Sequence, residues 1–141
     1  MAVLERGRDF ELRDAGPDDI PFVRSTWLRD YRERSSFARR IADSEYQTFH
    51  RLLLDRISSR ARTVVAFDAQ APEVLWGWAC AEPHVLHYVF VKRPFRNMKL
   101  GAQLLHAVGF NDGDYYTHMT YAWEGLVRQK YPGAQFSPYR I

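Results

Sequence analysis

The residues best placed to do chemistry lie between Glu82 and Ala102. An apolar run, Leu86-His87-Tyr88-Val89-Phe90-Val91, leads into a basic loop, Lys92 to Lys99, and then into Leu100-Gly101-Ala102, which reads as the start of a helix. The unpaired N–H groups and dipole of a helix start hold anions such as phosphate. The small residues Gly101 and Ala102 let such a group approach the backbone, and Arg96 and Lys99 add positive charge. His87 titrates near neutrality and suits a base. Glu82 and His84, either side of Pro83, are the next candidates for proton transfer. His84 and His87 do not make a metal pair, because a strand points them to opposite faces and no third ligand is near, so no metal site is expected. Cys80 lies in an apolar run, which does nothing to lower a thiol pKa, and is expected in the core.

The elements that would position these groups alternate in period. Phe10 to Arg13 alternates apolar and polar and suits a strand. Ile20, Val23, Trp27 and Tyr31 repeat with helical spacing behind the turn Gly16 to Asp19, with Asp19 as the cap. Arg32 to Arg40 reads as a polar, basic loop. Ser44 to Gln47 is a capping box, and Tyr46, Phe49, Leu53 and Ile57 mark the inward face of a second helix. Three strands follow: Thr63 to Phe67, Val74 to Cys80 and His84 to Val91. Leu100 to Val108 is a helix, Tyr115 to Tyr121 is strand-like, Trp123 to Tyr131 is a helix ended by Pro132-Gly133, and Ala134 to Tyr139 supplies a last strand. The fold class is α/β, with a mixed sheet in the order β-α-α-β-β-β-α-β-α-β, in one domain spanning residues 1–141.

The stretch Val89-x-Val91 followed by Arg96 to Ala102 resembles the signature of the GNAT superfamily of acyl-CoA-dependent N-acyltransferases: an apolar strand, then Q/R-x-x-G-x-G/A opening a helix. The order of elements is also similar, over about Phe10 to Tyr139. The resemblance implies splayed central strands, acetyl-CoA or another acyl-CoA as co-substrate, and direct transfer of the acyl group to an amine. It implies that the backbone of Phe90 and Val91 pairs with the pantetheine arm. It also implies that Arg96, Asn97, Met98, Lys99, Leu100, Gly101 and Ala102 wrap the diphosphate. Arylalkylamine-type members carry a histidine at the position of His87 as part of a proton relay. The family's general acid is often a tyrosine in the helix after the fifth strand, where Gln129 aligns and Tyr131 stands two residues away, with Tyr121 as an alternative. The sequence departs from the pattern at Lys99, which replaces the first glycine, and it shows one strand fewer.

Composition narrows the alternatives. The chain has 141 residues, 46% hydrophobic and 15% aromatic, which excludes global disorder. A single cysteine excludes a disulfide scaffold. No apolar run reaches membrane-spanning length, and residues 1–13 do not read as a secretory signal, so a cytoplasmic protein without a membrane partner is expected. Seventeen of the 20 basic residues are Arg, and 17 acids dilute them to a net charge of +3. That balance is weak support for nucleic acid as a partner. The acceptor is a small-molecule or macromolecular amine, and the protein is a monomer or homodimer. Two other readings stay open: a GNAT fold that binds without catalysing, and a nucleic-acid-directed acyltransferase, suggested by the Arg-rich loop and dense aromatics.

Overall fold

The computed structural model describes residues 9–96 and 98–141. The elements are β1 (Phe10–Asp14), α1 (Ile20–Arg34), α2 (Ser36–Arg39), α3 (Asp43–Ser58), β2 (Arg62–Asp68), β3 (Ala71–Glu82), β4 (Val85–Val91), a 3-10 turn (Arg93–Phe95), α4 (Leu100–Ala107), β5 (Tyr115–Tyr116), α5 (Tyr121–Lys130) and β6 (Gln135–Phe136). All six strands form one mixed sheet in the order β1-β2-β3-β4-β5-β6. The first four pair antiparallel as a meander, and β4, β5 and β6 pair parallel. Parallel neighbours need crossovers, and α4 and α5 supply them.

Alternation along the strands covers both faces of the sheet. Val65, Trp78, Cys80, Tyr88 and Phe90 pack with Val23, Trp27 and Tyr31 of α1 and Tyr46, Leu54 and Ile57 of α3. Val64, Ala66, Trp76 and Ala79 face Leu100 and Leu104 of α4. A third cluster joins Leu86, Leu105, Tyr116, Trp123 and Val127, binding α5 to the sheet. Cys80 is buried, and burial pushes its thiol up to about 11.

Several expectations are corrected. Ser36–Arg39 is helical within the expected loop, because Ser35 caps it by accepting the Ala38 N–H. The inward face of α3 runs through Tyr46, His50, Leu54 and Ile57; Phe49 is exposed and Leu53 half-buried. A histidine takes the place expected of an apolar residue because it has a buried partner. Helix α3 starts at Asp43, with no side-chain cap. Asp19 holds the cap position of α1, but its carboxylate instead accepts the Gly16 N–H and pairs with Arg13. Strand β5 is two residues long, not seven, because the chain leaves the sheet after Thr117 to begin α5 at Thr120.

That early departure opens the sheet. Thr117 N–H bonds to Leu86 O at 3.0 Å, and no β5 residue pairs with β4 beyond Leu86. His87 is an extra residue on β4, since Cys80 pairs with Tyr88 and Ala81 with Leu86. Lys92 N–H bonds to Trp76 O at 2.8 Å, so by alternation Phe90 and Tyr88 also turn their backbone groups to β3. A Cβ on Gly77 would lie 2.5 Å from Phe90 O, which places that carbonyl on the β3 side. Val89 and Val91 therefore carry the groups that face the gap.

Candidate active site

A cleft of about 440 Å³ occupies the gap. Its walls include Val89, Phe90 and Val91 of β4, Lys99 to Ala102 at the start of α4, and Ala122, Trp123 and Leu126 of α5. Four cations (Arg34, Arg96, Lys99 and Lys130) and one carboxylate, Asp30, line it.

The first turn of α4 is built for close approach. Among the described residues no side chain caps it. Lys99 stands at its N-cap with φ 64° and ψ 14°, the left-handed region. That is the reason a glycine suits this position, and Lys99 bears a cost of about 1 kcal/mol to hold it. A Cβ on Gly101 would meet only Val91 Cγ2, at 3.9 Å, so its bareness serves the cleft rather than the packing. Arg96 donates from Nε to Val91 O at 2.8 Å, and burial lowers its pKa. Asp30 pairs with Arg34 at 2.8 Å and accepts the Tyr88 hydroxyl at 2.7 Å. Met98 packs against the α4-side cluster. Asn97 lies outside the described residues.

Phe90, expected to offer its backbone to a ligand, spends it on β3, and Val89 takes that place beside Val91. Tyr131 lines the cleft from the end of α5 and packs on Phe110 and Trp123. It is not near Glu82 and His87 by any contact among the described residues. Tyr121 is exposed and lines a different cavity. His84, at φ 67° in the β3–β4 turn, pairs with Asp114 and stands apart from the cleft.

His87 and Glu82 do meet, and they belong to a longer chain. Arg60 Nε donates to Glu82 Oε1 at 2.9 Å, and His87 Nε2 lies 2.7 Å from Glu82 Oε2. His87 Nδ1 lies 2.9 Å from Thr117 Oγ1, which lies 2.9 Å from His118 Nδ1. His118 Nε2 lies 3.1 Å from His50 Nε2. Burial pushes His50 down to about 4, and it also lowers His118 and His87, with Glu82 opposing the shift at His87. Burial thus favours the neutral form of each ring. Burial raises the Glu82 carboxyl, but hydrogen bonds from His87 and Arg60 outweigh it and leave the pKa lowered.

These states fix every proton. An ionised Glu82 only accepts, so His87 carries its proton on Nε2 and accepts on Nδ1. Thr117 then donates to His87, His118 donates from Nδ1 to Thr117, and His50 donates from Nε2 to His118. All donation runs toward Glu82. Thr117, His118 and His50 were not legible as site residues; the signal was a histidine on the inward face of α3 and another next to a threonine just after β5.

A second cavity of about 260 Å³ abuts the cleft. Tyr31, Phe37, Thr117, Met119, Tyr121 and Phe136 are among its walls. Arg34 and Thr120 line both spaces. Thr120 also lines a pore of about 20 Å³ with His87, His118 and Trp123. The Trp123 indole N–H is buried without a partner.

No family model matches the chain, and no curated protein matches it by sequence. Solved structures do. A Pyrococcus furiosus protein assigned as an acetyl transferase superposes with a TM-score of 0.56 at 15% identity, over 92% of this chain and 80% of that one. The Vibrio cholerae integron cassette protein VCH_CASS6 gives a TM-score of 0.51 at 14% identity, over 96% and 91%. The fold is that of the GNAT acyltransferases. The PaiA N-acetyltransferase of Thermoplasma acidophilum, solved in complex with coenzyme A, covers 70% of this chain and 69% of its own at 18% identity and a TM-score of 0.49. Among the described residues no group of three His, Cys, Asp or Glu side chains is arranged to hold a metal ion. No described helix is long and apolar enough to cross a membrane.

Proposed function

We propose that this GNAT-fold chain is an acyl-CoA-dependent N-acyltransferase. One juxtaposition carries the reading: the edge of β4 at Val89 and the Val91 N–H, with the Val91 carbonyl held by Arg96, faces a start of α4 that no described side chain caps, across a cleft lined by four cations. Backbone polar groups left unpaired in a concave site call for a partner, and a pantetheine arm ending in a diphosphate matches them. The residues assigned to it are Val89 and Val91 for the arm and Arg96, Lys99, Leu100, Gly101 and Ala102 for the diphosphate, with Met98 beside them. When bound, acyl-CoA supplies an electrophilic thioester carbonyl.

The acceptor amine is assigned to the second cavity, where Thr117 is the mouth of the relay. One lone pair of Thr117 Oγ1 takes the His118 N–H, and the other is open to an ammonium. As Thr117 takes that proton it passes its own to His87 Nδ1, and His87 passes its Nε2 proton to Glu82. His87 and Glu82 thus act behind a hydroxyl rather than against the amine. Their neutral and ionised states suit passing and storing a proton. Tyr131, lining the cleft, is assigned to return a proton to the leaving thiolate.

Calorimetry with acetyl-CoA tests the reading. Saturable heat that weakens with salt supports it; no heat at millimolar ligand overturns it.

A further inference from the structure

The second cavity carries information about the acceptor. It is smaller than the ~300 Å³ lower end of ordinary ligand sites, at about 260 Å³, so its occupant is compact. Half of its walls are apolar or aromatic: Tyr31, Phe37, Met119, Tyr121, Phe136 and Pro138. Phe37, Tyr121 and Phe136 are exposed, at 68%, 57% and 44%. Three large apolar side chains gathered around one concavity are an unusual exposure unless something covers them.

Two charged residues line it, Arg34 and Glu124. Glu124 is committed to Arg128, at 3.0 Å on the same helix. Arg34 is only half committed. Its Nε pairs with Asp30 Oδ1 at 2.8 Å, and its two terminal nitrogens have no hydrogen-bond or ion-pair partner among the described residues. Those nitrogens form the outer edge of a planar fork that fits a carboxylate bidentately. The cavity therefore holds a proton acceptor for an ammonium at Thr117, a fork for a carboxylate at Arg34, and an apolar lining for a side chain.

We infer that the acceptor is a free α-amino acid with an apolar or aromatic side chain, held by its carboxylate on Arg34. This rests on the acyltransferase reading and deepens it. In the reaction the amine nitrogen bonds to the thioester carbonyl carbon and the carbon–sulfur bond breaks. The nitrogen loses two protons: one leaves through Thr117 and His87 to Glu82, and the other balances the proton that Tyr131 gives the thiolate, which leaves as free CoA thiol. The product is an N-acyl amino acid whose carboxylate is untouched, so Arg34 holds substrate and product alike.

The test compares three amines that share a benzyl group. With acetyl-CoA saturating, L-phenylalanine is expected to exceed both phenethylamine and L-phenylalaninamide in kcat/KM by about tenfold or more, the value of one charge-assisted pair. Arg34→Gln is expected to narrow that ratio at least about fivefold, with Arg34→Lys intermediate. Calorimetry gives a readout apart from turnover: N-acetyl-L-phenylalanine should bind more tightly than N-acetylphenethylamine, and Arg34→Gln should weaken it more than it weakens acetyl-CoA. Equal or faster turnover of the two amines that lack a carboxylate overturns the inference and leaves the transferase reading standing. So does an Arg34→Gln variant whose loss falls on acetyl-CoA instead. Absence of acetyl-CoA heat removes both readings.

Discussion

A methyl group at Gly101 separates stability from ligand affinity. The Cβ would touch only Val91, and alanine is the better helix former by up to about 1 kcal/mol. Gly101→Ala is therefore expected to raise the unfolding free energy by roughly 0.5–1 kcal/mol while lowering acetyl-CoA affinity, read by denaturant titration and calorimetry. A residue bare only for packing would lose nothing in binding. Thr117→Val makes the complementary cut. It removes the hydroxyl between His87 and His118, and kcat is expected to fall by about 10²-fold with acetyl-CoA binding kept. Loss of about 1–3 kcal/mol of stability accompanies it, and Thr117→Ser is expected to restore much of both. An unchanged kcat would remove the relay from the mechanism. At this scale the sequence revealed the residues of the α4 turn, because a small residue beside a basic loop is a local signal. It showed His87 and Glu82 singly but not their partners. Those come from a helix 37 positions before His87 and the segment after β5, 30 positions after it, and no spacing rule spans such distances.

The strands are held at their tightest by Gly77. A Cβ there would sit 2.5 Å from Phe90 O and 3.2 Å from Val91 Cα, both backbone atoms that cannot turn aside. Gly77→Ala is expected to push β3 from β4 and to cost on the order of 2–3 kcal/mol, as overpacking does, with a fall in thermal midpoint as the readout. Because Val89 and Val91 lie on the displaced strand, acetyl-CoA affinity should fall with it. Elements with a strong period were legible: α1, β2, β3, β4, α4 and α5 lie close to where their patterns put them. The exceptions have local causes. Serine capping made a helix of Ser36–Arg39, and β5 ended early because Thr120 caps α5. A strand pattern records burial, and Thr117 and His118 are buried without a strand to bury them. The bulge at His87 leaves no mark in composition, yet it decides that the backbone groups of Val89 rather than Phe90 face the cleft.

Across the whole molecule, two buried imidazoles, one half-buried imidazole and one carboxylate share a single network. Each histidine has a folded pKa below its unfolded value near 6.5, so the folded state resists a proton that the unfolded chain accepts. Stability is therefore full above about pH 6.5 and drains as pH falls toward about 4, the value for His50. Glu82, also lowered, drains in the same direction. Chemical denaturation between pH 7 and pH 4.5 is expected to show this decline, with a slope of up to about 1.4 kcal/mol per pH unit for each group. His118→Gln and His50→Gln should each flatten it. A stability profile flat over that range would mean the rings titrate alike in the folded and unfolded chain. The sequence disclosed the sheet and its helical layers at this scale, because hydrophobic period is shared by every element. It was silent on the two adjoining cavities, the larger of which lies where β4 and β5 part.

Arg34 and Thr120 line both cavities and mark the boundary between them. A single compound that joins a CoA thiol to an amino acid through a short tether would straddle it and occupy both chambers at once. Its grip should exceed that of either half by about 10²–10⁴-fold, since the second half arrives already concentrated. Competition between the conjugate and its two separate halves would measure how readily that boundary is spanned.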